Sequence, residues 1–209
     1  NAGEHFEPGI TNEESPGTLH VASSAGIFYL FDPIASPEFR RALRGHQDPQ
    51  FAMDGIGKRL DQQDVIMAEL EVRVKQNQNI SIADKIDVPV AVMIGKCDIL
   101  RDHLDWERIL EPIVDKQLNM AILEKNSEII REFMMDMHPS IVANAEALSR
   151  HVRYFPVSPF GHSPEMVEIE GKKYIAPDPD KLDPVMVEIP TLWVLSFVEP
   201  ELIPIAKEG

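Results

Sequence analysis

At 209 residues the chain has room for one large domain, and a hydrophobic content of 44% suffices for a buried core. A formal charge of −15 lacks the basic footprint that binding a phosphate backbone requires, which excludes a nucleic-acid surface. No apolar run approaches the ~20 residues of a membrane span, and a single cysteine rules out an internal disulfide and a Cys-based zinc site. The polar, Glu-containing start shows no signal peptide, and a reducing cytoplasm is the expected compartment. Because the chain begins at Asn1 without a methionine, a processed product or a fragment is expected.

Residues 1–20 are polar, with Pro8-Gly9 and Pro16-Gly17 as breakers, and read as a mobile loop. Residues 25–31 predict a buried strand closed by Asp32-Pro33, and residues 34–58 are irregular with a short helical stretch around 38–43. Leu60, Val65, Ile66, Leu70 and Val74 recur at helical spacing, which predicts an amphipathic helix from Arg59 to about Lys75. The Gln-Asn-Gln-Asn run at 76–79 ends it. Residues 88–94 are largely β-branched or small and predict a strand buried on both faces. Gly95-Lys96-Cys97-Asp98 then falls where that strand leaves the sheet.

Trp106, Ile109, Leu110, Ile113 and Val114 predict a further helix, with Pro112 a kink or a first-turn residue. Residues 117–137 read as helical, their methionines as adaptable core packing. Ser140 is the expected cap of a helix reaching Arg150. Residues 152–157 predict a third strand, followed by Ser158-Pro159-Phe160-Gly161. Residues 164–183 hold two strand-like segments around Glu170-Gly171, a surface hairpin insertion. An apolar helix through Leu192, Trp193, Leu195, Val198 and Leu202 closes the chain, and no repeat is present.

Buried strands separated by helices predict a single α/β domain over 1–209, with a three-layer parallel sheet and flanking helices. Right-handed crossovers would bring the three carboxyl ends to one edge, gathering Asp32, residues 95–98 and residues 158–161. Ligands of open α/β sheets bind along that edge. His103, His138, His151 and His162 lack the close spacing of a metal site. For Lys96 and Asp98 the alternative is an ordinary strand-end turn.

Gly95-Lys96-Cys97-Asp98 after a Val-rich strand resembles the guanine-recognition motif of P-loop GTPases, usually Asn/Thr-Lys-x-Asp. Residues 157–161 resemble the later serine turn of that family, Asn1-Ala2-Gly3-Glu4 the tail of its Asp-x-x-Gly switch, and residues 25–33 the strand after the switch. Residues 190–195 are similar to the terminal helix of bacterial large or double GTPases. The resemblance implies the later half of a GTPase domain acting as a GTP-dependent switch, with GTP/GDP as ligand and Mg²⁺ in the intact protein. Asp98 would make the bidentate contact to guanine, Lys96 would cover base and ribose, and Gly95 would lack the usual bracing side chain. Ser158, with Pro159 and the backbone after it, would complete base recognition. Gly3 would offer its amide to the γ-phosphate, with Glu4 or His5 near the attacking water and residues 1–20 as a switch-like loop.

The phosphate loop GxxxxGK[ST] is missing from the chain, since Gly57-Lys58, Gly95-Lys96 and Gly171-Lys172 are followed by Arg59, Cys97 and Lys173. The resemblance therefore places that loop, and two or three strands, before Asn1. It also predicts that residues 25–31 form an open sheet edge. Two alternatives stay open. One is a degenerate GTPase-like module that binds a protein partner without hydrolysis, and the other a small-molecule α/β enzyme using the same sheet edge.

Overall fold

The computed structural model describes residues 17–52 and 63–206, with side chains from His20 onward. In chain order the elements are α1 (Gly17–Ala22), β1 (Ile27–Phe31), α2 (Pro37–Ala42), α3 (Gln63–Asn77) and β2 (Val90–Ile94). Then come β3 (Ile113–Val114), β4 (Gln117–Leu118), α4 (Met120–Met137), α5 (Pro139–Leu148) and β5 (Val152–Pro156). The chain closes with β6 (Glu165–Ile169), β7 (Lys172–Ala176) and α6 (Ile189–Val198). The fold is mixed α/β around a small parallel sheet in the order β1-β2-β5.

Phe31 pairs with Ile94 and Ile94 with Pro156, so the three strands end level with one another. That alignment brings three polar turns, far apart in sequence, to one edge.

Alternation along the strands divides the core. Ile27, Tyr29 and Phe31 share a cluster with Val90, Val92, Ile94, Val152 and Tyr154, packed on Leu70 and Val74 of α3 and on Ile141 and Leu148 of α5. Ala91 and Phe155 join a second cluster with Ile189, Trp193 and Val194 of α6. Each fully buried aliphatic or aromatic side chain contributes about 1.5–3 kcal/mol, which is why apolar runs at 27–31, 90–94 and 152–156 dictate this sheet. Phe28 and Leu30 of β1 are left 45% and 61% exposed. Among the described residues no strand pairs with the outer edge of β1. The outer edge of β5 is covered instead: Ser127 of α4 places its hydroxyl oxygen 2.9 Å from the Tyr154 N–H, giving that donor an acceptor.

Lys75 ties the far end of the molecule together. Its buried ammonium donates to Glu71 Oε1 (2.7 Å), to the Ile82 carbonyl (2.7 Å) and to the Ala147 carbonyl (2.9 Å). All three ammonium protons are thereby used, which offsets the cost of burying the charge.

The closing helix ends at Val198 and leaves Leu202 in the turn that follows, and four further local expectations need correction. No helix spans 106–114; Trp106–Arg108 forms a single 3-10 turn, and β3 and β4 make a small hairpin. Its loop residues, Asp115 (φ 50°) and Lys116 (φ 62°), are both left-handed, the geometry that a two-residue hairpin demands. The apolar spacing there imitates a helix, but Pro112 removes a donor the helix would need. Helix α4 begins at Met120 rather than 117, because the Asn119 side chain caps it by accepting the Ile122 N–H at 3.0 Å. Helix α5 starts at Pro139, with His138 in the cap position, so Ser140 lies inside the first turn and is not the cap. Residues 17–20, read as loop, belong to α1, while residues 1–16 lie outside the described residues. The hairpin expected within 164–183 is present as β6 and β7.

Candidate functional site

Where β2 ends, Gly95 donates its N–H to the Phe31 carbonyl at 2.9 Å, so the chain leaves the sheet still tied to β1. A Cβ on Gly95 would stand 3.2 Å from Leu30 Cδ1 and 3.3 Å from the Phe31 oxygen, closer than most side-chain carbons approach. The missing side chain lets Leu30 lie across this point. Lys96 is left-handed (φ 50°, ψ 39°), a conformation that costs a non-glycine residue about 1–2 kcal/mol. It opens a 3-10 turn over Cys97–Leu100, which is fastened to the end of β5 by the Cys97 N–H donating to the Val157 carbonyl at 3.1 Å. Cys97 is buried, and burial, followed by the nearby Asp98 charge, pushes its thiol up to about 12.

The turn after β5 is built around Ser158, which is buried. Its hydroxyl donates to Asp98 Oδ1 at 2.5 Å and accepts the Gly161 N–H at 2.9 Å. Its backbone pairs both ways with Val185, at 3.1 and 2.8 Å. Gly161 is left-handed (φ +70°), and a Cβ there would fall 1.8 Å from the Asp183 carbonyl oxygen, so only glycine closes this turn without displacing its neighbour. Arg101 reaches across to the Gly161 carbonyl at 3.4 Å. His162 presents one ring nitrogen to the Ser163 carbonyl (2.8 Å) and the other to the Asp178 carbonyl (3.2 Å), fixing the start of the β6–β7 hairpin against the turn.

Together these turns enclose a pocket of about 270 Å³. Its floor and sides come from Leu30, Gly95, Lys96, Asp98, Ser158, Pro159, Phe160 and His162, with Asp32 at its border. The five residues that the resemblance assigns to guanine binding, Gly95, Lys96, Asp98, Ser158 and Pro159, all line this one space. Phe160 belongs to the 158–161 turn expected at this edge, whereas Leu30 and His162 were not foreseen. Gly3, Glu4 and His5 lie outside the described residues.

One further residue bears on the pocket from behind. Asp48, whose side chain is fully buried, faces the Lys96 ammonium with Oδ2 3.9 Å from Nζ. Nothing in the sequence marked it.

A larger cleft of about 600 Å³ lies beside the start of β5, between α4 and α5. Two ion pairs line it: Arg131 makes a bidentate bond to Glu146, and Glu124 pairs with Arg153. The bond from Arg131 holds the Glu146 carboxyl below the usual carboxylate range. Burial raises the Tyr154 phenol, which donates to Glu146 at 3.2 Å.

Among the described residues no group of three or more His, Cys, Asp or Glu is placed to hold a metal ion. Among the same residues no helix is long and apolar enough to cross a membrane. The pocket is small and apolar-walled, with the Asp98 carboxylate braced by a hydroxyl beside left-handed Lys96, and Asp32 at its border. No protein-family model, curated protein or solved structure matches the chain, so the chemistry of this pocket rests on its own residues.

Proposed function

We propose that the pocket binds the base of a guanine nucleotide and that the chain is the base-binding half of a cytoplasmic, P-loop GTPase-like switch. The observation that carries this reading is the meeting of Asp98, Lys96 and Ser158 in one apolar-walled pocket at the level ends of three parallel strands. An ionised carboxylate only accepts hydrogen bonds, so it selects a ring edge that only donates. Guanine offers two adjacent donors, N1–H and the N2 amine, whereas adenine sets an acceptor at N1 and would be repelled. Ser158 occupies one lone pair of Asp98, and the carboxylate retains others for a bidentate contact. The Lys96 stem and the Phe160 ring supply apolar surface for the faces of a planar base. Gly3, Glu4, His5 and Mg²⁺ belong to the phosphate end of the same proposal, and hydrolysis requires a phosphate loop that this chain does not carry.

The test is Asp98→Asn in the intact protein, read by calorimetric titration with GDP and XDP. Asparagine turns one acceptor into a donor, matching the xanthine carbonyl, so GDP affinity falls and XDP affinity rises, each by about 10- to 100-fold. Unchanged selectivity, or no binding of GDP by the wild-type protein, defeats the reading.

A second reading is a GTPase-like interaction module without hydrolysis, with a protein partner as its ligand. It is favoured by the edge of β1, unpaired among the described residues, and by its exposed Phe28 and Leu30. That module would hold its partner equally well with and without nucleotide.

A further inference from the structure

Asp48 lies in the segment between α2 and α3, remote in sequence from the pocket. Its backbone N–H donates to His46 Nδ1 at 3.1 Å, and its Oδ1 accepts the Gln50 N–H at 2.8 Å. Those bonds fold the local turn and use one carboxylate oxygen. The other, Oδ2, is buried and has no hydrogen-bond partner among the described residues. Its charge partner there is the Lys96 ammonium at 3.9 Å. The local turn needs only one acceptor, so an asparagine would serve it equally well. A carboxylate is the costlier choice in a buried position, because its second oxygen gives up water without a hydrogen bond in return.

Lys96 has its own peculiarity. Its left-handed backbone is set by the turn after β2, and its side chain is 28% exposed while lining the pocket. A lysine with rotatable bonds along its stem and no anchor samples many rotamers, and a wall made of such a stem is loose. An opposite charge behind the pocket narrows that choice.

We infer that Asp48 is a positioning residue for the pocket: its buried carboxylate holds the Lys96 ammonium and thereby lays the lysine stem along the pocket wall. The ligand named for that wall rests on the guanine-nucleotide reading, whereas the pair itself does not. Asp48 acts through Lys96 and not by contact with the ligand. Its unpaired oxygen and the ammonium stand about 1 Å beyond hydrogen-bond distance, and a ligand pressing on the lysine stem can close that gap.

The experiment compares wild type, Asp48→Asn, Lys96→Met and the double variant. Asparagine keeps the acceptor for the Gln50 N–H, removes the charge and turns the oxygen that faces Lys96 into an NH2 donor. Limited acylation of the ligand-free protein, read by peptide mass spectrometry, reports the Lys96 amine directly. The expected result is a several-fold rise in Lys96 labelling in Asp48→Asn, with Lys172 labelling unchanged; equal Lys96 labelling overturns the inference. GDP titration gives the second arm. Asp48→Asn weakens GDP by about tenfold in the wild-type background and has no effect beside Lys96→Met. Equal losses in both backgrounds overturn the positioning role. If wild type binds no GDP while Lys96 labelling still responds, the nucleotide reading fails and the pair stands. Should Asp48→Asn not fold, Lys96→Met carries the test: a carboxylate that relies on Lys96 lowers the urea midpoint when the ammonium goes, and an unchanged midpoint overturns the pair.

Discussion

The Ser158 hydroxyl donates to Asp98 Oδ1 across 2.5 Å, joining the turn after β5 to the turn after β2. The same oxygen accepts the Gly161 N–H, so one buried serine orders both the carboxylate and the loop beside it. Both lie within the protein, so the hydroxyl is committed to protein groups.

Ser158→Ala should therefore lower stability and disorder Asp98 together. Two hydrogen bonds of a buried group are lost and the Gly161 N–H is left without its acceptor, a cost of about 1–3 kcal/mol. Urea unfolding checks the magnitude. A loss within experimental error would show that the hydroxyl does not brace the turn.

Gly161→Ala should be worse. A methyl group there meets the Asp183 carbonyl oxygen at 1.8 Å, and the left-handed backbone adds its own strain. Because the obstacle is backbone, the turn must open, at a cost of at least about 2 kcal/mol. Thermal unfolding should show the loss, and a midpoint equal to that of wild type would contradict the turn geometry.

The Arg131–Glu146 pair gives a pH signature. Its bonds hold the Glu146 carboxyl below its unfolded value, so its contribution is complete above about pH 4.3 and fades as the pH falls through the folded value. The two side chains are 42% and 34% exposed, and screening limits the pair to about 0.2–1 kcal/mol. Glu146→Gln should differ from wild type by that amount at neutral pH and merge with it in strong acid. A gap that persists undiminished in acid would sink the assignment.

Cys97 should resist alkylation. Its thiol is buried, and its rise to about 12 leaves almost no thiolate at pH 8. Iodoacetamide should label it slowly in the native protein and fast in urea, so quick native labelling would mean that the turn over Cys97–Leu100 is open.

The parts of the fold legible in the sequence are those governed by local pattern. Apolar runs ending at Asp32, Gly95 and Ser158, the last interrupted by Arg153, announced three buried strands, and parallel connection made their ends converge. Local pattern also misled: apolar spacing at 106–114 matches a helix, but hairpin geometry at Asp115 and Lys116 prevailed. Asp48 was illegible for a different reason. Its pairing with Lys96 depends on how the α2–α3 segment folds back on the sheet, and no periodicity records that. Leu30 was hidden because strand alternation places it on the exposed face, where it reads as a surface residue until Gly95 makes room beside it.

Lys75 carries a kinetic consequence. With all three protons of its ammonium held between α3, the loop at Ile82 and the end of α5, the amine can react only after those elements part. Any reagent that captures a free amine faster than the seam recloses would count separations one by one. Modification of Lys75 would then advance at the rate of opening, whatever the reagent concentration, and this one side chain would serve as a clock for the breathing of the domain.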